Sequence, residues 1–260
     1  MEILLKFVVC FVAGIGAGLG TGFAGMSAAA VISPVLITFL GMDAYEAVAI
    51  ALASDVLASA VSAYTYGKNG NLDIRNGLVM MVSVLLFTVV GSWVSSLLPS
   101  TTMGSFSTFM TLLLGIKFIV RPVMTTKEGM NAMDARTRLM RSVLSGVLIG
   151  FICGFVGAGG GMMMLLILVS VLGYELKTAV GTSVFIMTFT ALTGSLSHMA
   201  IGGMPDPLAL VFCILSTLLW ARIAARFANK ASNRTLNRAT GVVLVLLGVV
   251  VLGFRLFTGN

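Results

Sequence analysis

Charge is what this sequence has least of. Only 10% of its 260 residues are Asp, Glu, Lys or Arg, against about 25% in ordinary soluble domains. With 58% of residues hydrophobic, that scarcity excludes a soluble globular domain, which has too little polar surface to cover such a core. Cysteine is also sparse. Cys10, Cys153 and Cys213 each lie inside an apolar run, without metal or disulfide spacing, and read as core packing. Histidine occurs once, at His198. No GxxxxGK[ST] phosphate loop is present, and the Gly159–Gly161 run follows an apolar helix rather than a strand, so no nucleotide cofactor is expected. Neither is any other cofactor or a metal. The formal charge of +7 does not point to nucleic acid, because the basic residues sit in short loops between apolar segments, the pattern that sets membrane topology.

What is present is a succession of apolar runs near the length of about 20 residues that crosses a bilayer as a helix. In hydrocarbon every backbone N–H and C=O needs a partner within the segment or within a closed barrel. The dyad alternation of barrel strands is absent. The expected fold is an all-α polytopic membrane protein with ten segments, near 4–22, 25–40, 46–66, 77–98, 103–121, 141–157, 160–173, 178–200, 207–228 and 238–257. The second and seventh are short, and each is joined to its predecessor by a glycine-rich break.

The chain repeats itself. Under a shift of 132 residues, Gly14, Gly18, Gly22, Phe23 and Gly25 fall on Gly146, Gly150, Gly154, Phe155 and Gly157. Leu36, Leu40, Gly41, Ala47 and Val48 fall on Leu168, Leu172, Gly173, Ala179 and Val180. This divides the chain into a first transmembrane repeat (1–121), a basic linker (122–140) and a second repeat (141–260), each repeat with about five segments. If segments alternate sides, 14 of the 16 Lys and Arg share one face, and only Lys6 and Arg255 lie on the other. Basic loops stay inside. The linker is therefore expected in the cytoplasm, both termini outside, and the two repeats inverted in a cell membrane. The count is the same if the glycine-broken pairs are re-entrant hairpins.

Inverted repeats with broken helices are a layout of secondary transporters, whose sites lie near the midplane at the repeat junction. A helix starting at such a break carries unpaired N–H groups and a positive dipole end, which suit an anion. Glycine lets backbone approach ligand. The candidate site is therefore Gly22, Gly25, Ser27, Gly157, Gly159, Gly160 and Gly161, with hydroxyls from Thr182 and Ser183. The bland readings are close helix packing for the glycines, favoured for Gly14, Gly18, Gly146 and Gly150, and bonding back to the preceding turn for the hydroxyls. Asp55 lies well inside the third segment, where a carboxylate is expensive and a functional candidate by default. It is the coupling candidate, carrying a proton or Na⁺. The competing roles are an ion pair with a base such as Lys117, or a cap near a broken helix. Its repeat counterpart is Met187. A serine–histidine protease dyad is rejected, because Ser183 and His198 stand about 22 Å apart along one helix. An enzyme is not expected.

The GFxG break, the apolar run after it, and Leu172-Gly173 leading to Ala179-Val180-Gly181-Thr182-Ser183 resemble the TauE/SafE sulfite exporter family over nearly the whole chain. In the first half, Gly25-Met26-Ser27-Ala28-Ala29 stands in place of a glycine run and Ala49-Ile50-Ala51 in place of Gly-Thr-Ser. The resemblance implies transport, commonly export, of sulfite, small organosulfonates or related anions. The alternatives are a passive anion channel and a non-transporting scaffold subunit. The partners expected are a small inorganic or organic anion and membrane lipid, with a homodimer left open.

Overall fold

The computed structural model describes residues 2–95, 112, 116–122, 124–126, 134–156 and 160–258. Among them every regular element is an α-helix: α1 (Glu2–Ala24), α2 (Ala29–Leu40), α3 (Ala44–Lys68), α4 (Ile74–Ser95), α5 (Ala135–Val156), α6 (Gly160–Ser170), α7 (Leu176–Gly202), α8 (Pro207–Lys230) and α9 (Asn233–Thr258). These fall on nine of the expected apolar segments. The remaining one, 103–121, lies largely outside the described residues, with 116–120 helical. Four helices, α1, α3, α7 and α8, contain stretches long and apolar enough to cross a bilayer.

Around an apolar core, the described helices bury a set of polar side chains and expose large apolar ones. α3 buries Ser54, Asp55, Ser59 and Ser62, and α7 buries Thr182, Ser183 and Ser195, while Leu86, Val89, Leu144, Leu196 and Leu246 are exposed. That inversion fits a bundle whose surrounding solvent is hydrocarbon, with polar side chains turned to the interior. Many of the interior hydroxyls bond back within their own helix, as Ser54 does to the Ile50 carbonyl at 2.8 Å.

In each glycine-broken pair the second helix is short and returns toward the end from which the first one starts. A Cβ on Gly16 would lie 3.2 Å from Val31, and one on Gly20 would meet Met26, so α2 folds back along α1. The 12 residues of α2 and 11 of α6 extend only about 18 and 16 Å. Contacts at the bundle ends show where each hairpin returns. Lys6 donates to Asp206 Oδ2 at 2.8 Å, and the Asp206 N–H donates to Glu46 Oε1 at 2.7 Å. The starts of α1, α3 and α8 therefore share one end, which the α1–α2 hairpin enters and leaves. At the other end Tyr174 donates to Asp73 at 2.8 Å, Asn71 to Asn229 at 2.6 Å and Lys177 to the Asn229 carbonyl at 3.1 Å. There Arg141 of α5 reaches the Val171 carbonyl just past α6 at 3.4 Å, so the α5–α6 hairpin belongs to this opposite end.

Two caps match at the 132-residue shift. Gly41 and Gly173 both have φ +63°, the left-handed conformation that closes a helix cheaply only with glycine. In each case the next N–H bonds back six residues, Met42 to Leu36 at 3.4 Å and Tyr174 to Leu168 at 2.9 Å. Two seams of small residues also match. Gly14, Gly18 and Gly22 of α1 seat against Ser216, Thr217, Ala221 and Ala224 of α8, and Gly146 and Gly150 of α5 seat against Met80, Ser83 and Val84 of α4. Side chains at these glycines would separate the helices, the usual reason small residues line membrane seams. α5 starts at Ala135, inside the stretch read as polar linker. Asp134 accepts from the Arg136 and Thr137 N–H groups at 3.2 and 3.4 Å and caps the helix.

The Lys6–Asp206 contact makes the first end pH-sensitive. The hydrogen bond from Lys6, then the Ala209 N–H, hold the Asp206 carboxyl below the ordinary carboxylate range. A depressed carboxyl contributes stability that is present above its unfolded pKa of about 3.9 and is lost as pH falls through the folded value. Lys6→Met, which leaves the Ala209 N–H in place, is therefore expected to shrink the loss of melting temperature that the natural chain shows below about pH 4. Melting curves across that range check it.

Candidate functional site

The first break meets the start of α6 inside the bundle. After α1 the chain turns at Gly25, with φ +60°, and a Cβ there would collide with the Ser183 hydroxyl of α7. A helix ending in a membrane interior must place its last carbonyls. Here Gly20 accepts from Met26 N–H at 3.2 Å and Thr21 from Gly25 N–H at 2.9 Å. Gly22 accepts from the Tyr66 hydroxyl at 2.9 Å and Phe23 from the Thr240 hydroxyl at 3.1 Å. The Thr21 hydroxyl donates to the Met26 carbonyl at 2.8 Å and braces the turn.

At the start of α2, Ser27 Oγ accepts the Ala29 N–H at 3.3 Å. Asp55 of α3 faces this start, beside the Ser27 hydroxyl and the Ala28 N–H. Ser59 donates to Asp55 Oδ1 at 3.1 Å, and Oδ2 is buried without a hydrogen-bond partner. The residue is 0% exposed. A carboxyl group thus stands at the positive end of the half-length helix, where the dipole favours its ionised form. Lys117, weighed as its ion-pair partner, donates instead to the Ser170 hydroxyl.

The start of α6 supplies the opposite wall. A Cβ on Gly161 would run into the Gly25 carbonyl and lie 2.8 Å from Met187 Sδ and 3.1 Å from the Ser27 nitrogen. The first turn of α6 therefore rests on the first break, with Met187 beside it. Met187 is the residue that the 132-residue shift places opposite Asp55.

The structure brings Gly25, Ser27, Gly161 and Ser183 together, with Asp55 beside Ser27. Gly160 opens α6 next to Gly161, while Gly157 and Gly159 lie outside the described residues. Two candidates sit elsewhere. Gly22 belongs to the α1–α8 seam. Thr182 faces the loop before α4, where its hydroxyl accepts the Asp73 N–H at 3.2 Å. The Ser183 hydroxyl donates to the Val180 carbonyl at 2.9 Å. His198 lies near the far end of α7, its Nδ1 2.9 Å from the Gly194 carbonyl.

Sequence reasoning missed the two hydroxyls that complete the end of α1. For Tyr66 a signal existed, since a tyrosine at the end of an apolar segment needs an acceptor for its hydroxyl if it is buried. Thr240 carried none.

The sulfite exporter TauE/SafE family matches residues 10–251. The chain belongs to that family. It is 27% identical over 265 aligned residues to the probable membrane transporter protein YunE of Bacillus subtilis, covering 94% of this chain and 96% of that one. It is 22% identical to the probable membrane transporter protein YdhB of the same organism, covering 90% and 96%. The probable membrane transporter protein MJ0441 of Methanocaldococcus jannaschii is 24% identical over 75% of this chain and 74% of its own. No solved structure matches the chain. Family and relatives support a multi-pass membrane transporter rather than an enzyme.

Proposed function

We propose that this chain is a secondary transporter that exports a small anion, sulfite or an organosulfonate, from a site at the junction of two inverted repeats. The contact of Gly161 with Gly25 and Ser27 carries the reading. It places two half-length helices from opposite ends nose to nose inside the bundle, the arrangement in which broken-helix transporters hold their substrates. The inverted repeat is supported by the matching caps at Gly41 and Gly173 and by the matching seams of α1 on α8 and α5 on α4.

The chemistry is asymmetric. The positive end of α2 already faces the Asp55 carboxylate, whereas the first turn of α6 faces the uncharged Met187. The anion therefore binds on the α6 side, at the N–H groups that open the helix, with the Ser27 and Ser183 hydroxyls turning to donate to its oxygens. An ionised Asp55 beside this position repels the anion and a protonated one does not, which ties substrate occupancy to a proton. Thr182, held to Asp73 at the basic end, joins α7 to α4 and acts on the path rather than on the anion.

The test is flux from proteoliposomes loaded in turn with sulfite, sulfoacetate and a small carboxylate, with and without a pH gradient. Saturable flux of one anion that responds to the gradient is expected. Non-saturating flux indifferent to the gradient would mean a channel, and no flux from folded, inserted protein would mean a scaffold.

A further inference from the structure

One groove remains outside this account. It lies between α3 and α7 near the Asp73 end and is a shallow, widely open depression of about 600 Å³. Its floor is small, made by Ala60, Ala63 and Gly67 of α3, and its walls include Tyr64, Phe185 and Phe189. By helical periodicity Ala60, Tyr64 and Gly67 turn away from Asp55 and Tyr66, so the groove opens away from the junction, with Ala63 between the two faces. Tyr64 is 70% and Phe189 39% exposed. On membrane-crossing helices such apolar walls face hydrocarbon.

At the mouth stands Lys68, in the last turn of α3. Among the described residues it makes no ion pair or hydrogen bond. The neighbouring carboxylate, Asp73, is engaged by the Tyr174 hydroxyl and by Asn76. A shallow apolar groove ending in an unpaired cation at the polar edge of the bundle matches an acyl chain ending in a negative headgroup. The geometry points to a binding site for one anionic phospholipid, with an acyl chain along Ala60, Ala63 and Gly67 and the phosphate on Lys68. A second copy fits the groove less well. A two-fold contact would set the same positive rim on both copies, with Asp73 already engaged.

The test is native mass spectrometry of the full chain in neutral detergent with equal amounts of phosphatidylglycerol and phosphatidylcholine. One retained phosphatidylglycerol is expected, preferred about fivefold, as one lysine near the headgroup supplies. Lys68→Gln should erase the preference and keep the fold. Ala63→Phe, which fills the floor, should remove the retained lipid of either kind while circular dichroism stays helical. No preference in the natural chain, or a preference that survives in Lys68→Gln, overturns the site. So does displacement of the lipid by free inorganic phosphate, which would make Lys68 a plain anion contact. So does an Ala63→Phe variant that turns a dimer into a monomer with lipid unchanged, which would assign the groove to a second copy.

Discussion

Gly161→Val should lower anion flux by about a hundredfold or more, the loss that follows when groups at a site move by about 1 Å. The cause is local. The new side chain would point at the Gly25 carbonyl, the Ser27 nitrogen and Met187 Sδ. Two of those three atoms are backbone, which yields far less than the end of a flexible side chain. Overpacking of this kind costs about 1–3 kcal/mol, so the melting temperature should fall as well. Gly161→Ala probes the same contact with less bulk, and its flux should lie between the two. Gly253→Val is the control, because nothing stands within 4 Å of a Cβ there. It should match the natural chain in flux and melting. Equal flux from Gly161→Val and Gly253→Val would remove the junction from the mechanism.

Asp55 separates two roles that a single substitution would confuse. As a cap it accepts from Ser59 and faces the Ala28 N–H. As a coupling group it must gain and lose charge. Asn retains an acceptor oxygen of similar shape but cannot ionise. Asp55→Asn should therefore insert and fold, still move anion down its own gradient, and lose at least about tenfold of its response to an imposed pH gradient. Asp55→Ala removes the acceptor as well. It leaves the Ser59 hydroxyl and the start of α2 short of partners, and should cost about 1–3 kcal/mol beyond the Asn variant. Paired flux and melting measurements resolve the two. If Asp55→Asn keeps the full pH-gradient response, the carboxylate is a cap and coupling lies elsewhere.

The parts of this structure legible in the sequence are those set by local chemistry. Gly25, Gly41 and Gly173 stop their helices because each stands where the backbone turns left-handed. Their spacing under one constant shift is visible in the sequence. The buried Asp55 announced itself as a carboxylate in an apolar run. The direction in which each short segment returns was not legible, because it depends on contacts such as Lys6 with Asp206, 200 residues apart in sequence. Thr182 and Ser183 show a second limit. Adjacent residues on a helix point about 100° apart, so one hydroxyl faces Gly25 and the other the Asp73 N–H. The sequence pattern names both and cannot choose between them. The start of α5 at Ala135 shows a third. Polar side chains dominate 134–141, and only the cap offered by Asp134 marks the helix.

The measurement that tests the junction most directly is substrate protection of a thiol at Ser183→Cys, in a chain with Cys10, Cys153 and Cys213 replaced by Ala. The rate of labelling by a small membrane-permeant maleimide is followed as the transported anion is raised. Labelling should slow along a saturable curve whose midpoint matches that of flux, while a cysteine placed at Tyr64, in the lipid-facing groove, labels at an unchanged rate. Labelling of Ser183→Cys that is indifferent to an anion the same protein demonstrably transports would place the site away from the meeting of the first break with the start of α6.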